Sequence, residues 1–120
     1  MKISEVADKT GLSISTIRYY ERSGLCPHVQ RGPDGQRQFS QKDADWLTLL
    51  ASLRATGMPL AKMRSFAALY AAGDATIPDR KTALLAHRAQ LDVRQAELDH
   101  CRALLAHKLS RYDAIIEDQA

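Results

Sequence analysis

No stretch of this 120-residue chain approaches the roughly 20 consecutive apolar residues that span a bilayer. Its opening, Met1-Lys2-Ile3-Ser4-Glu5, lacks the apolar core of a secretory leader. A cytoplasmic protein with no membrane partner is expected. Cysteine is scarce. Cys26 and Cys101 are far apart and in no CxxC pair, which excludes a disulfide framework and fits a reducing compartment. Soft-metal sites need at least two sulfurs within reach and iron–sulfur clusters need more, so no metal and no cofactor are expected. There is also no glycine-rich phosphate loop, no plausible nucleophile–base pair and no pair of carboxylates in an expected cleft, and an enzyme is not expected. The excess of charge is small, 17 basic against 14 acidic side chains. Such a balance is compatible with nucleic-acid binding without establishing it, so the placement of the arginines matters more than their number.

What is present is a punctuated series of helices. Ser4 is placed to cap a first helix, with Glu5 in its first turn and Ile3, Val6 and Ala7 on its apolar face. Gly11 permits a sharp turn, Leu12 packs behind it, and Ser13 can cap a second helix from Ile14 to about Ser23, stopped at Gly24. Helix, glycine turn, helix is the helix-turn-helix pattern. From Pro27 to Phe39 there is no helical period. Val29 and Phe39 bracket the polar tip Arg31-Gly32-Pro33-Asp34-Gly35, and its Pro-Asp-Gly turn chemistry predicts a β-hairpin wing. Ser40, with Asp43 three residues on, offers a short-armed capping box to a third helix that carries Leu47, Leu50 and Leu53 and ends at Gly57. Pro59 opens a fourth helix, with Leu60, Met63 and Ala67 facing inward, and Gly73-Asp74 breaks it.

Beyond Pro78 neither glycine nor proline occurs up to Asp118. Leu84, Leu91, Leu98, Leu105 and Tyr112 recur every seventh residue, a repeat that argues for a coiled coil rather than a surface helix of period 3.6. The companion seam positions are His87, Arg94, Cys101, Lys108 and Ile115, mostly polar, with Leu85 and Leu104 widening the apolar side. A helix roughly 60 Å long with such a stripe needs a partner helix, most economically from a second copy of the chain. The expected dimer interface is Leu84, Leu91, Leu98, Cys101, Leu105, Tyr112 and Ile115. The expected fold is mainly α: a winged helix-turn-helix head over residues 1–75, with a small hairpin wing, then a coiled-coil dimerisation helix over 76–120.

On a helical wheel of the second helix, Ser15, Arg18, Tyr19 and Arg22 share one face, while Ile14, Ile17 and Tyr20 lie opposite. One face packs. The other offers guanidinium, phenol and hydroxyl groups, the chemistry that holds phosphates and reads base edges, with Thr16 beside it. Arg31 and Arg37 flank the wing tip, where they can straddle a phosphate or enter a minor groove. Arg54 and Lys62 stand on either side of Gly57-Met58-Pro59, a corner that would present both to the backbone. Three basic elements following one helix-turn-helix in order point to double-stranded DNA.

These residues carry a resemblance. Ser13-Ile14-Ser15-Thr16-Ile17-Arg18-Tyr19-Tyr20-Glu21, followed by Gly24-Leu25, resembles the signature of the MerR family of transcription regulators. Arg31, Gly35 and Arg37 match that family's wing, and Leu53-Arg54 with Gly57, Leu60 and Met63 match its second wing. The heptad helix is similar to its antiparallel dimerisation arm. Gln36 and Phe39 stand where the family's wing carries tyrosines, and Pro59 where a serine-like cap is common. The resemblance implies a homodimer on a palindromic promoter element, in a spacer longer than optimal between the two RNA polymerase hexamers. Distorting that spacer would realign the hexamers. It further implies DNA contacts from Arg18 and Tyr19 on the recognition helix, Arg37 on the wing and Arg54 on the second wing.

The effector is a small molecule that the sequence leaves unknown. Metal-sensing members carry cysteines at the start of the dimerisation helix and in a loop after it. Here those places hold Thr76-Ile77-Pro78 and a tail without ligands. The chain resembles the small, non-metal members that respond to aldehydes or other electrophiles, although Ser52 stands where some of those carry a cysteine. Cys101 is the effector candidate, and whether it or Cys26 senses anything is open at this level. Two other functions share the winged head: a coiled-coil adaptor that binds protein, and an architectural DNA-binding protein, for which the long arm has no use.

Overall fold

Short local signals set the first two helices. The computed structural model describes residues 1–120 and places α1 at Ile3–Thr10 and α2 at Ile14–Arg22. Gly11 between them takes the left-handed conformation (φ 75°), and its N–H closes α1 on the carbonyl of Ala7. The Ser13 hydroxyl caps α2 as expected, accepting from the Thr16 N–H at 3.0 Å. Ser4 does not cap α1. That place falls to Lys2, whose side chain makes no capping bond. The reason is tertiary. The Phe39 N–H donates to the Met1 carbonyl at 2.9 Å and the Met1 amino group donates back to the Phe39 carbonyl at 2.6 Å, so the helix starts immediately after this pairing.

The wing is minimal. Strands β1 (Gln30–Arg31) and β2 (Arg37–Gln38) pair antiparallel, with Gln30 opposite Gln38 and Arg31 opposite Arg37. Its turn is closed by Gly35 N–H to Gly32 carbonyl (2.9 Å), Gly32 N–H to Gln36 carbonyl (2.7 Å) and Gln36 N–H to the Asp34 carboxylate (3.0 Å). Helix α3 (Gln41–Ala55) begins with the expected capping box, Ser40 and Asp43 each receiving the other's backbone N–H. Pro59 is the N-cap of α4 (Leu60–Ala71) rather than its first helical residue, and supplies no side-chain cap. A 3₁₀ turn, Asp74–Thr76, leads from Gly73 into α5, which runs unbroken over Ile77–Gln119.

The chain divides into two compact units, Met1–Leu85 and Ala86–Ala120. The first holds the core: Val6, Ile17, Leu25, Leu47, Leu50 and Met63 are sealed from solvent, with Tyr20, Phe39, Trp46 and Phe66 around them. Trp46 stacks on Tyr70 with ring centroids 4.0 Å apart and donates its indole N–H to the Leu25 carbonyl at 2.7 Å. That bond pins the exit of α2 to α3. Leu84, counted among the heptad leucines, packs half-buried against this core. In the second unit α5 carries exposed apolar side chains along its length, Leu98, Leu105, Leu109, Tyr112 and Ile116 among them. No helix is long and apolar enough to cross a membrane.

Candidate nucleic-acid interface

Helix α2 separates its two faces nearly as its sequence dictates. Ile17 and Tyr20 are buried, while Ser15, Arg18, Tyr19 and Arg22 are exposed. Ile14 departs from expectation. At the first turn it is 36% exposed, because the packing face of so short a helix is already filled by Ile17 and Tyr20. Thr16 is half-buried and accepts from the Ser13 hydroxyl at 2.9 Å, which ties it to the cap.

The wing folds beside this helix and encloses a cleft of about 410 Å³ lined by Lys2, Ile3, Ser4, Arg18, Arg31, Gly35, Gln36 and Arg37. Four cations from three parts of the chain therefore face one concavity that no carboxylate lines. Arg31 is steadied by donating to the Gly35 carbonyl at 2.7 Å. Arg37 forms an ion pair with Glu21 of α2, and the two contacting atoms are shielded from solvent. Such a cleft suits a strip of phosphates, since clustered cations over low-dielectric walls concentrate positive potential.

Ser15, Arg22, Arg54 and Lys62 do not line this cleft. All four are exposed, Arg54 in the last turn of α3 and Lys62 in the first turn of α4. Arg64 connects the corner to α2, its guanidinium lying 3.4 Å from the Tyr19 hydroxyl. Sequence reasoning missed Lys2 and Arg64. Arg64 was legible as one more cation on the polar side of α4. Lys2 had no signal, because only the Met1–Phe39 pairing brings the N-terminus to the wing.

The two cysteines sit in different settings. Cys26 is buried in the core, where desolvation, reinforced by the nearby Asp43 charge, pushes its thiol up to about 12. A thiol held protonated there is packing material, not a nucleophile. Cys101 is exposed on α5.

Comparison with known proteins converges. Residues 1–68 match the family model described as MerR HTH family regulatory protein, and residues 44–108 match that of the MerR DNA-binding region. An HTH-type transcriptional regulator of Haemophilus influenzae is 38% identical over 109 residues, covering 91% of this chain and 81% of that protein. The HTH-type transcriptional regulator AdhR of Bacillus subtilis is 35% identical over 91 residues, 76% of this chain and 65% of AdhR. Among solved structures, HiNmlR, a MerR family regulator lacking the sensor domain and bound to promoter DNA, superposes with a TM-score of 0.83 at 37% identity, over 93% of this chain and 89% of that one. These relatives are transcriptional regulators, not enzymes.

Proposed function

The chain belongs to the MerR family of DNA-binding transcription regulators, and on that premise we propose that it acts as a cytoplasmic homodimer on a palindromic element inside a promoter. Residues 1–75 are the DNA-binding head and 76–120 the dimerisation arm, whose first turns brace the head through Leu84. The observation that carries the reading is the cleft that gathers Lys2, Arg18, Arg31 and Arg37 between recognition helix and wing. Ser15, Thr16, Tyr19 and Arg22 extend the contact along α2, and Arg54, Lys62 and Arg64 add phosphate contacts from the α3–α4 corner.

The arm of one protomer pairs with its partner's through Leu91, Leu98, Leu105, Leu109 and Tyr112, with Cys101 at the margin, while Ile115, about 100° round the helix from Leu98, lies off this stripe. Two heads fixed at one separation grip both ends of the palindrome, so a change in that separation is taken up by the DNA between them. Deforming a site of this size costs of order 1–6 kcal/mol, within the range an effector's coupling energy can shift. RNA polymerase is then the partner that reads the realigned promoter. The likeness to HiNmlR, which lacks a sensor domain, supports a small member of the family; its effector is read as an electrophile rather than a metal, with Cys101, exposed on the single chain, as the candidate thiol. The test is a footprint on the DNA flanking the coding region, combined with in vitro transcription. Protection between the hexamers with the dimer bound throughout activation is expected. Protection upstream of them, or activation by release, overturns the distortion mechanism.

A further inference from the structure

Glu21 is an acid in the last turn of α2, the end of a helix where the backbone dipole disfavours negative charge. Its compensation lies outside the helix, in the ion pair with Arg37 of β2. Arg37 in turn stands directly opposite Arg31 across the ladder, and like charges facing each other on adjacent strands destabilise the pairing. Arg31 turns to the Gly35 carbonyl, and Glu21 supplies the counter-charge for Arg37. The wing has little else to hold it. Its strands are two residues each, and a two-stranded hairpin alone is marginal in water. The remaining anchors are the Met1–Phe39 pairing, a bond from the Met1 amino group to the Gln38 side chain, and the Phe39 and Val29 side chains on the core, all at or near the wing's base. Of the hydrogen bonds and ion pairs, only the Glu21–Arg37 pair ties the blade of the wing to α2.

We infer that Glu21 is a positioning residue for DNA binding: it clamps Arg37 and so holds the wing at the distance from α2 at which Lys2, Arg18 and Arg31 face one groove. This rests on the reading of the head as the DNA grip. The sign of the effect separates a clamp from plain electrostatics. An acid beside DNA repels phosphate, so neutralising it ordinarily tightens binding. Loss of a clamp weakens it.

The experiment is a double-mutant cycle with Glu21→Gln and Arg37→Gln in the full-length protein. Affinity is measured over a salt series for a duplex carrying the footprinted segment. Glu21→Gln is expected to weaken binding about fivefold, the upper end for losing a part-exposed ion pair. In the Arg37→Gln background it is expected to cost nothing further. Tighter binding by Glu21→Gln, or an equal additional loss in that background, overturns the inference. Hydrogen exchange on the free protein gives a second readout. Glu21→Gln should raise exchange at the wing amides of Gly32 and Gly35 while the amides of Leu47 and Leu50 keep their protection. Unchanged wing exchange, or loosening of the whole head, overturns it equally. Failure of the unaltered protein to retain the duplex would instead count against the DNA-binding reading, and the exchange result stands apart from that.

Discussion

If the arm pairs with a second copy, the register of the seam follows from the geometry of α5 more closely than from a strict repeat of seven. Successive residues turn by about 100°. Leu98, Leu105, Leu109 and Ile116 are separated by seven, four and seven residues, so each returns to within about 40° of the first. Lys108 and Ile115, the positions a rigid heptad selects, are rotated about 80–100° away. All the apolar members of the stripe are 51–62% exposed on the single chain, Tyr112 included. Truncating a buried leucine to alanine costs about 2–5 kcal/mol, and a narrow seam with open flanks belongs at the low end. A two-fold dimer suffers each substitution twice. Leu105→Ala and Leu109→Ala should then each destabilise the dimer by about 4 kcal/mol, about a thousandfold in dissociation constant. Lys108→Ala, and Val93→Ala on another face, should leave it within a few fold. Sedimentation equilibrium across a concentration series reads these differences. An unaltered protein that is monomeric at micromolar concentration refutes the seam, and a Lys108→Ala defect as large as that of Leu109→Ala restores the strict heptad.

Three further outcomes are expected. Arg18→Ala should weaken operator binding by about 1–3 kcal/mol if the guanidinium reads a base edge, and lower the salt slope by about 1 if it holds phosphate; fluorescence anisotropy that detects neither removes Arg18 from the interface. Trp46→Phe deletes the donor to the buried Leu25 carbonyl, which should cost about 1–3 kcal/mol and lower the melting temperature by several degrees in circular dichroism; an unchanged melt means the bond does not pin α2. The Cys26 thiol is raised from 9.0 to about 12 in the fold, so its contribution is whole below pH 9 and is lost as pH rises from 9 towards 12. The unfolding free energy from urea melts should fall between about pH 8 and 10 by about 1 kcal/mol more in the unaltered protein than in Cys26→Ala, and parallel curves would count against burial of the thiol.

What was legible in the sequence was whatever a few neighbouring residues decide. Gly11, Ser13, the Ser40–Asp43 box, the Pro-Asp-Gly wing and the absence of breakers after Pro78 each act within one turn, and each appears in the fold. Ser4 failed as a cap because a contact between Met1 and Phe39, remote in sequence, decided where α1 starts. Leu84 carries the heptad's spacing, yet the head's core takes it up, since periodicity cannot say which of two apolar surfaces a leucine meets. Gln36 and Phe39 illustrate the same divide. Phe39 is buried at the wing's base, where a tyrosine hydroxyl would need a partner, while Gln36 is exposed on the cleft.

The candidate site shows why counting cations along a chain undershoots. Arg18, Arg31 and Arg37 were recognisable as basic residues on the second helix and the wing, but their joint geometry depends on an acid. Glu21 reads in sequence as the last residue of the family signature, and only the fold shows that it faces Arg37. A recognition surface for DNA needs its positive groups held apart against their own repulsion before the phosphates arrive to neutralise them. In this head the holding is done by a carbonyl for Arg31 and a carboxylate for Arg37. Arg31 keeps its full charge beside a neutral carbonyl, so phosphate is left to neutralise it together with Arg18 and Lys2, the two cations for which no such partner is in place. Substituting those two should flatten the salt dependence, whereas substituting Glu21 should shift affinity with the slope intact.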